Sequence, residues 1–312
     1  MTDYGTYQGE FRDWQYHGEG TFAYVDRFEG VGRLSGTWEH GEFVDGEEFA
    51  PKEPPVLLTE KILAEDRQRL NSQIESLEPE RPGVTDAYFL AVGGDGTESV
   101  FMRDIQVAKT GLQAQFDVKK RAIMLLNHRD YETFPLATRP SIAAALEALD
   151  EQINPEKDLL IVHLVSHGGR DGQLVLQQPG IELPDLSPQA FAEMLEPLNA
   201  RRKMLVVSAC YSGQWLNQLK DSDTLIMTSA REDRTSFGCG DDSEMTWFTK
   251  AVYRSVSLSL TDPDAMFEQI NTQIRTWEEE IGMEEESWSY PQSHLGESLR
   301  QWLSQRFPNT DG

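Results

Sequence analysis

The sequence is short of basic residues and of cysteine, and it has no long apolar run. Its 312 residues hold 28 Lys and Arg against 53 Asp and Glu, a formal net charge of -25. So acidic a chain repels nucleic acid and anionic membrane surfaces, which are recognised through basic patches. It suits a well-solvated surface or a basic partner. No segment approaches the ~18 consecutive apolar residues of a membrane-spanning helix. The opening MTDYGTYQGEF has neither a basic n-region nor an apolar h-region, so a cytoplasmic location is expected, and export would need a longer precursor. Two cysteines, Cys210 and Cys239, cannot make a disulfide framework; they point to a reducing compartment and a working thiol. Hydrophobic residues, at 38%, are enough for a substantial core.

Three stretches differ in composition. Residues 1–50 are rich in Gly, Glu and aromatics, with the echoes YQGEF, HGEGTF, HGEF and DGEEF. Glycine at turns and aromatics facing each other across strands predict short β-hairpins. Tyr7 to Phe22 resembles a MORN repeat, with a degenerate second unit over Leu34 to Phe49. The resemblance implies a small β-hairpin module used for protein or lipid contact; a structural cap on the next domain is the plainer alternative. Residues 51–83 open on PKEPP and form a linker, with an exposed amphipathic helix over Leu57 to Leu77 that EPERPG stops.

From residue 84 to 312 strands alternate with helices. Strands are predicted over 84–92, 121–127, 158–166, 202–209 and 223–229. Helices are predicted over Val100 to Gly111, from an N-cap at Ser141 to Ile153, from Ser187-Pro188 to Leu198, over Ser212 to Leu219, Glu244 to Ser257 and Pro263 to Glu280. A hairpin is predicted around Pro179-Gly180, and a late strand or loop over 289–296 with His294 on the surface. This alternation implies an α/β fold with a mostly parallel sheet covered on both faces. Its site is expected beyond the carboxyl ends of the strands.

The chemistry sits in LLIVHLVSHGG and KMLVVSACYSG. His163 and His167 are four apart, but the segment is bounded by Pro155 and by Gly168-Gly169 and reads as a strand. There, such positions are about 13 Å apart and cannot share a metal. His163, mid-strand, reads as a buried, hydrogen-bonded histidine. His167 follows the strand end. Cys210 follows the end of the next strand and precedes a predicted helix, whose N-terminus would stabilise a thiolate. A thiol beside an imidazole is the arrangement for acyl transfer, and the backbone N–H groups of Cys210 and Gly168 would form an oxyanion hole.

SHGG and SACYSG, 43 residues apart (210 − 167), resemble the His-Gly and Ala-Cys-x-Ser-Gly signatures of the legumain-like peptidases, and TSAREDRTSFGCGD resembles that family's segment after the next strand. The resemblance covers about residues 84–260. It implies a caspase-like three-layer sandwich and a Cys–His dyad, with His167 as base, Cys210 as nucleophile and Gly168 at the oxyanion, and no metal or cofactor. Arg103 then aligns with a pocket arginine, which favours Asn or Asp at P1. Thr235 and Ser236 align with pocket hydroxyls, and Tyr211 stands where the family has an acidic pocket residue. Ser166 replaces the family's Asp, and Phe101 falls where an Asn orients the histidine, so no third member is expected.

The acidic group Asp233, Asp241, Asp242 and Glu244 would instead favour Arg or Lys at P1. Cys239 reads as a packed thiol, with a redox or pocket role as the second reading. The expected function is a single-chain cysteine endopeptidase acting on protein or peptide. A transpeptidase or ligase, and a catalytically idle scaffold working through its N-terminal module, fit the same residues.

Overall fold

The structure, a computed structural model, describes residues 5–12, 15–26, 30–49, 55–128, 133–240, 243–256 and 258–307. Two compact units divide the chain, residues 1–67 with 179–182 and residues 68–178 with 183–312.

In the first unit, β1 (Gly5–Arg12), β2 (Gln15–Asp26), β3 (Gly30–Glu39) and β4 (Glu42–Phe49) form an antiparallel sheet in chain order. The predicted hairpins are therefore present. Aromatics tie the strands together. The Tyr7 ring stacks on Tyr16 at 3.9 Å, and Trp38 meets them edge-on at 5.3 and 5.5 Å. Trp38 is buried and its indole N–H donates to the Gly20 carbonyl at 3.1 Å. Such cross-strand pairs contribute roughly 0.2–1 kcal/mol each.

Helix α1 (Pro55–Glu75) follows. The sequence predicts an exposed helix here, yet its last turns, from Gln68, belong to the second unit and pack on that unit's own sheet. Leu70 is buried in that core. The Gln73 amide grips the Met124 backbone both ways, accepting from its N–H at 2.8 Å and donating to its carbonyl at 3.1 Å. Met124 lies on an edge strand, so Gln73 blocks backbone groups otherwise open to a stray strand.

The second unit runs β5 (Ala87–Gly93), α2 (Val100–Phe116), β6 (Ala122–Leu126), α3 (Arg139–Asp150), β7 (Leu159–Val165), α4 (Pro188–Leu195), β8 (Arg202–Ser208), α5 (Gln214–Leu219), β9 (Thr224–Thr228), α6 (Trp247–Lys250), α7 (Pro263–Glu280), β10 (Gln292–Leu295) and α8 (Glu297–Arg306). The sheet order is β10-β9-β8-β7-β5-β6, with β10 antiparallel and its neighbours parallel. Alternate residues serve opposite faces. Ala87, Phe89 and Ala91 of β5 pack with α2, α7 and α8, while Tyr88, Leu90 and Val92 pack with α3, α4 and α5. Both faces are covered, which is why β5 and β7 read as unbroken apolar runs. Each fully buried large aliphatic side chain contributes roughly 1.5–3 kcal/mol. The expected three-layer α/β sandwich with a mostly parallel sheet is what forms.

The chain leaves β5 for β6 on one side and returns to β7 on the other, so the β5–β7 boundary is the topological switch point. Three local expectations are corrected. The α3 cap is Thr138, whose hydroxyl accepts from Ser141 N–H; Pro140 needs no donor in the first turn, so the helix starts before Ser141. Helix α2 runs past Gly111 to Phe116. A β-carbon at Gly111 would lie 3.2 Å from the Tyr253 side chain, so this glycine admits a neighbour and does not end the helix. The segment predicted as one helix over Glu244 to Ser257 is capped at Thr246, forms α6, and winds as a wider π-helix over Ala251–Ser255.

Candidate active site

The register of β7 on β8 sets the site. Val165 pairs with Ser208, and His167 and Cys210 each lie two residues beyond that pair. Both reach the same edge of the sheet beside the switch point. Ser166 prolongs the ladder, its N–H donating to the Ser208 carbonyl at 3.2 Å. Its hydroxyl donates to the Val175 carbonyl at 2.7 Å, anchoring the loop after β7. That loop is tied to α5 as well: Trp215 Nε1 donates to the Gly172 carbonyl and Gln214 Nε2 to that of Arg170, both at 2.9 Å. The loops carrying imidazole and thiol are thereby fixed to each other.

Gly168 is where the two backbones nearly touch. A β-carbon there would lie 2.1 Å from the Cys210 carbonyl oxygen and 3.0 Å from its nitrogen. Only glycine fits. Among the described residues, neither the Gly168 nor the Cys210 N–H makes a hydrogen bond. Phe101, on the first turn of α2, sets its ring edge-on to His167 with centroids 5.3 Å apart. Among the described residues no side chain hydrogen-bonds the imidazole.

Cys210 is half-buried in a turn, and α5 begins only at Gln214. The expected helix N-terminus is too distant to hold a thiolate, because the dipole acts within the first turn. Other groups take its place. The neighbouring Cys239 thiol is the largest influence lowering the Cys210 pKa to about 6. Burial opposes this. The Ser236 amide, donating to Cys210 Sγ at 3.4 Å, the Ser236 hydroxyl at 4.0 Å and the charge of His167 add to it. The half-buried Cys239 thiol is pushed the other way, up, by Cys210 and by desolvation.

The turn is held from behind. Ser229 Oγ accepts from Ala209 N–H and donates to the Ala209 carbonyl, both at 2.9 Å, and Ser212 Oγ accepts from Ala230 N–H at 3.1 Å. Tyr211 has φ 59, a left-handed backbone uncommon for a bulky residue. Its N–H donates to the Arg234 carbonyl at 2.7 Å, and Arg170 lies over its ring at 5.6 Å.

The remaining predicted residues are placed unevenly. Ser236 touches the nucleophile, whereas Thr235 is exposed. Arg103 donates to the carbonyls of Glu244 at 2.8 Å and Ser243 at 2.7 Å. It lines a cavity of about 380 Å³ with Gln106, Glu244, Met245 and Arg254, which includes neither His167 nor Cys210. Asp241 and Asp242 lie outside the described residues. His163 is buried beneath the site, with Nε2 3.4 Å from Thr249 Oγ1 and its pKa lowered to about 3 by burial, so it is neutral. His294 is half-buried on edge strand β10, its Nε2 3.1 Å from the Asp221 carbonyl. The influence of Cys239 on Cys210 is not apparent in the sequence, where its signal is a second cysteine in the loop after the strand beside β8.

The profile of the Peptidase C13 family matches residues 146–298, just under half of the chain, and that segment carries both His167 and Cys210. This is a cysteine peptidase. No curated protein sequence matches the chain. Its fold is similar to that of caspase-1 from Spodoptera frugiperda, at 12% identity and a TM-score of 0.50, over 70% of this chain and 92% of that one. A secreted C11 cysteine protease from Bacteroides thetaiotaomicron, solved with an irreversible peptide inhibitor, is matched at 14% identity and a TM-score of 0.44, over 71% of this chain and 68% of that one. The likeness to the insect caspase shows the fold to be caspase-like. Among the described residues no helix is long and apolar enough to cross a membrane, and none of their His, Cys, Asp and Glu side chains cluster as a metal site.

Proposed function

We propose that the protein is an endopeptidase that cuts through a thioester on Cys210, with His167 as its only catalytic partner. What carries this is the β7–β8 register, with an imidazole and a thiol each two residues past one backbone pair, and the thiol pKa is lowered there. The thiolate attacks the scissile carbonyl, and His167 gives a proton to the departing amine. His167 then takes a proton from the water that hydrolyses the thioester. The unengaged N–H groups of Gly168 and Cys210 receive the oxyanion. Phe101 orients the imidazole by packing instead of by hydrogen bonding.

Arg103 carries the preference for Asn or Asp at P1. Its guanidinium is fixed by two carbonyls, and its Nη1 donors make no hydrogen bond to a described residue. A basic P1 is the second reading, favoured by the acids Asp233 and Glu244 in the same loop region, although each already pairs with an arginine. The N-terminal aromatic sheet serves as a MORN-like contact module.

Digestion of a mixed peptide pool, with cut sites read by mass spectrometry, tests the proposal. Cuts after Asn or Asp that vanish in His167→Ala support it; cuts after Arg or Lys remove the role of Arg103. Cuts that persist in His167→Ala refute the dyad.

A further inference from the structure

Arg170 lies in the loop that His167 opens, and its guanidinium sits 5.6 Å from the ring centre of Tyr211, the residue next to Cys210. Arg170 is exposed. Among the described residues its guanidinium makes no hydrogen bond and no ion pair. The acid beside it is committed elsewhere. Asp171 accepts from Gln173, through Oδ2 from Nε2 at 2.7 Å and through Oδ1 from the N–H at 3.2 Å. The backbone beneath the arginine is fixed. Gly172 N–H closes a turn onto the Gly169 carbonyl at 2.9 Å, Gly169 N–H donates to the Gln173 carbonyl at 2.8 Å, and Gln214 Nε2 donates to the Arg170 carbonyl at 2.9 Å. Tyr211 is held in its turn by its N–H bond to the Arg234 carbonyl. A guanidinium lying over an aromatic ring keeps its edge donors for a carboxylate.

The flanks of the site belong to opposite faces of the sheet. Phe101 of α2 and Cys239 pack in the core on one face, the face of the helix that carries Arg103. Trp215 of α5, whose indole holds Gly172 in the Arg170 turn, packs in the core on the other. A peptide whose P1 side chain reaches Arg103 therefore crosses the sheet edge at Cys210, and its departing amine passes His167 toward Arg170. Two extended residues span about 7 Å, enough to bring a side chain from the nucleophile to the ring of the adjacent Tyr211.

We propose that Arg170 is a specificity-determining residue that binds the carboxylate of an Asp or Glu side chain at one of the first two positions after the scissile bond, P1′ or P2′. The inference rests on the proposed roles of Cys210, His167 and Arg103. A chain of net charge -25 repels acidic peptides as a whole, so a preference for them has to come from a local cation.

The test uses peptides with one scissile site, taken from the peptide-pool digest, that carry Glu, Gln or Lys at P1′ or at P2′. Their C-termini are amidated, so the varied side chain supplies the carboxylate. kcat/KM is measured for the full chain and for Arg170→Gln and Arg170→Glu. At one of the two positions the wild type should favour Glu over Gln by about fivefold, and less at high salt. Arg170→Gln should lose that preference, and Arg170→Glu should favour Lys over Glu. Each ratio compares substrates of one enzyme, so the folded fraction cancels. Equal wild-type rates for Glu and Gln at both positions, or a preference that survives in Arg170→Gln, overturns the proposal. Cuts that need Cys210 but ignore charge refute the role of Arg170 alone. Cuts that persist in Cys210→Ala, or no cuts at all, refute the peptidase reading and this inference with it.

Discussion

A methyl group on residue 168 would sit 2.1 Å from the carbonyl oxygen of Cys210. The loop after β7 and the turn after β8 are packed to the limit that a missing side chain allows. Gly168→Ala should therefore displace one backbone from the other. Overpacking of this kind costs about 1–3 kcal/mol. Urea denaturation should show that loss, and kcat/KM should fall by about a hundredfold, as for loss of an oxyanion donor. A variant with wild-type kcat/KM would show that the contact has no bearing on the chemistry.

The rate of Cys210 alkylation by iodoacetamide should rise with pH around a midpoint of about 6 and then level off. The sign follows from the thiolate being the reactive form and being stabilised in the fold. Cys239→Ala removes the largest stabilising contact, so its midpoint should move upward, toward the ordinary thiol value of 9.0. His167→Ala should move it upward by less, because its charge is the smallest of the named influences. Equal shifts in the two variants would contradict this ordering.

His163 gives a stability test apart from catalysis. Its folded pKa, about 3, lies below the ordinary value of 6.5 because the ring is buried. Between these values the unfolded chain binds a proton that the folded chain does not. Stability is therefore full above pH 6.5 and drains away as pH falls toward 3. His163→Leu should flatten that part of the curve. Urea midpoints across the range measure it, and parallel curves for the two proteins would show that the histidine is not held neutral.

Asp104 works in the opposite direction. Burial raises its pKa to about 7, while Thr246 N–H donates to it at 3.1 Å. The folded chain keeps a proton that the unfolded chain releases near 3.8, so this group costs stability as pH rises from 3.8 to 7. Asp104→Asn keeps a carbonyl acceptor and cannot ionise. Relative to wild type it should gain stability as pH rises through that window. No change in the difference between the two proteins would show that the carboxyl ionises freely.

The parallel strands were legible because strands buried on both faces need apolar residues at every position, as LLIVHLV shows. His167 and Cys210 could be paired from sequence because parallel neighbours end at one edge, and both residues follow such ends. The short β10 reads as either strand or loop in the sequence, since QSHL carries little apolar signal and is stabilised by pairing with β9. α8, Glu297–Arg306, was not predicted; its core contacts are Leu299 and Leu303, too sparse a pattern to stand out. Around Cys210 the groups that lower its pKa come from Ser236 and Cys239. These reach it through a loop whose path depends on the left-handed Gly238 and on the Tyr211–Arg234 hydrogen bond. Nothing periodic marks such a path, whereas the sequence does signal a helix start, which the structure sets at Gln214, beyond the thiol's reach.

The measurement closest to the central claim is the intact mass of the enzyme, quenched in acid during turnover of a peptide ester. The account predicts an acyl adduct on Cys210 that hydroxylamine removes and that Cys210→Ala does not form. Turnover that persists in Cys210→Ala, or an adduct on another residue, would contradict it.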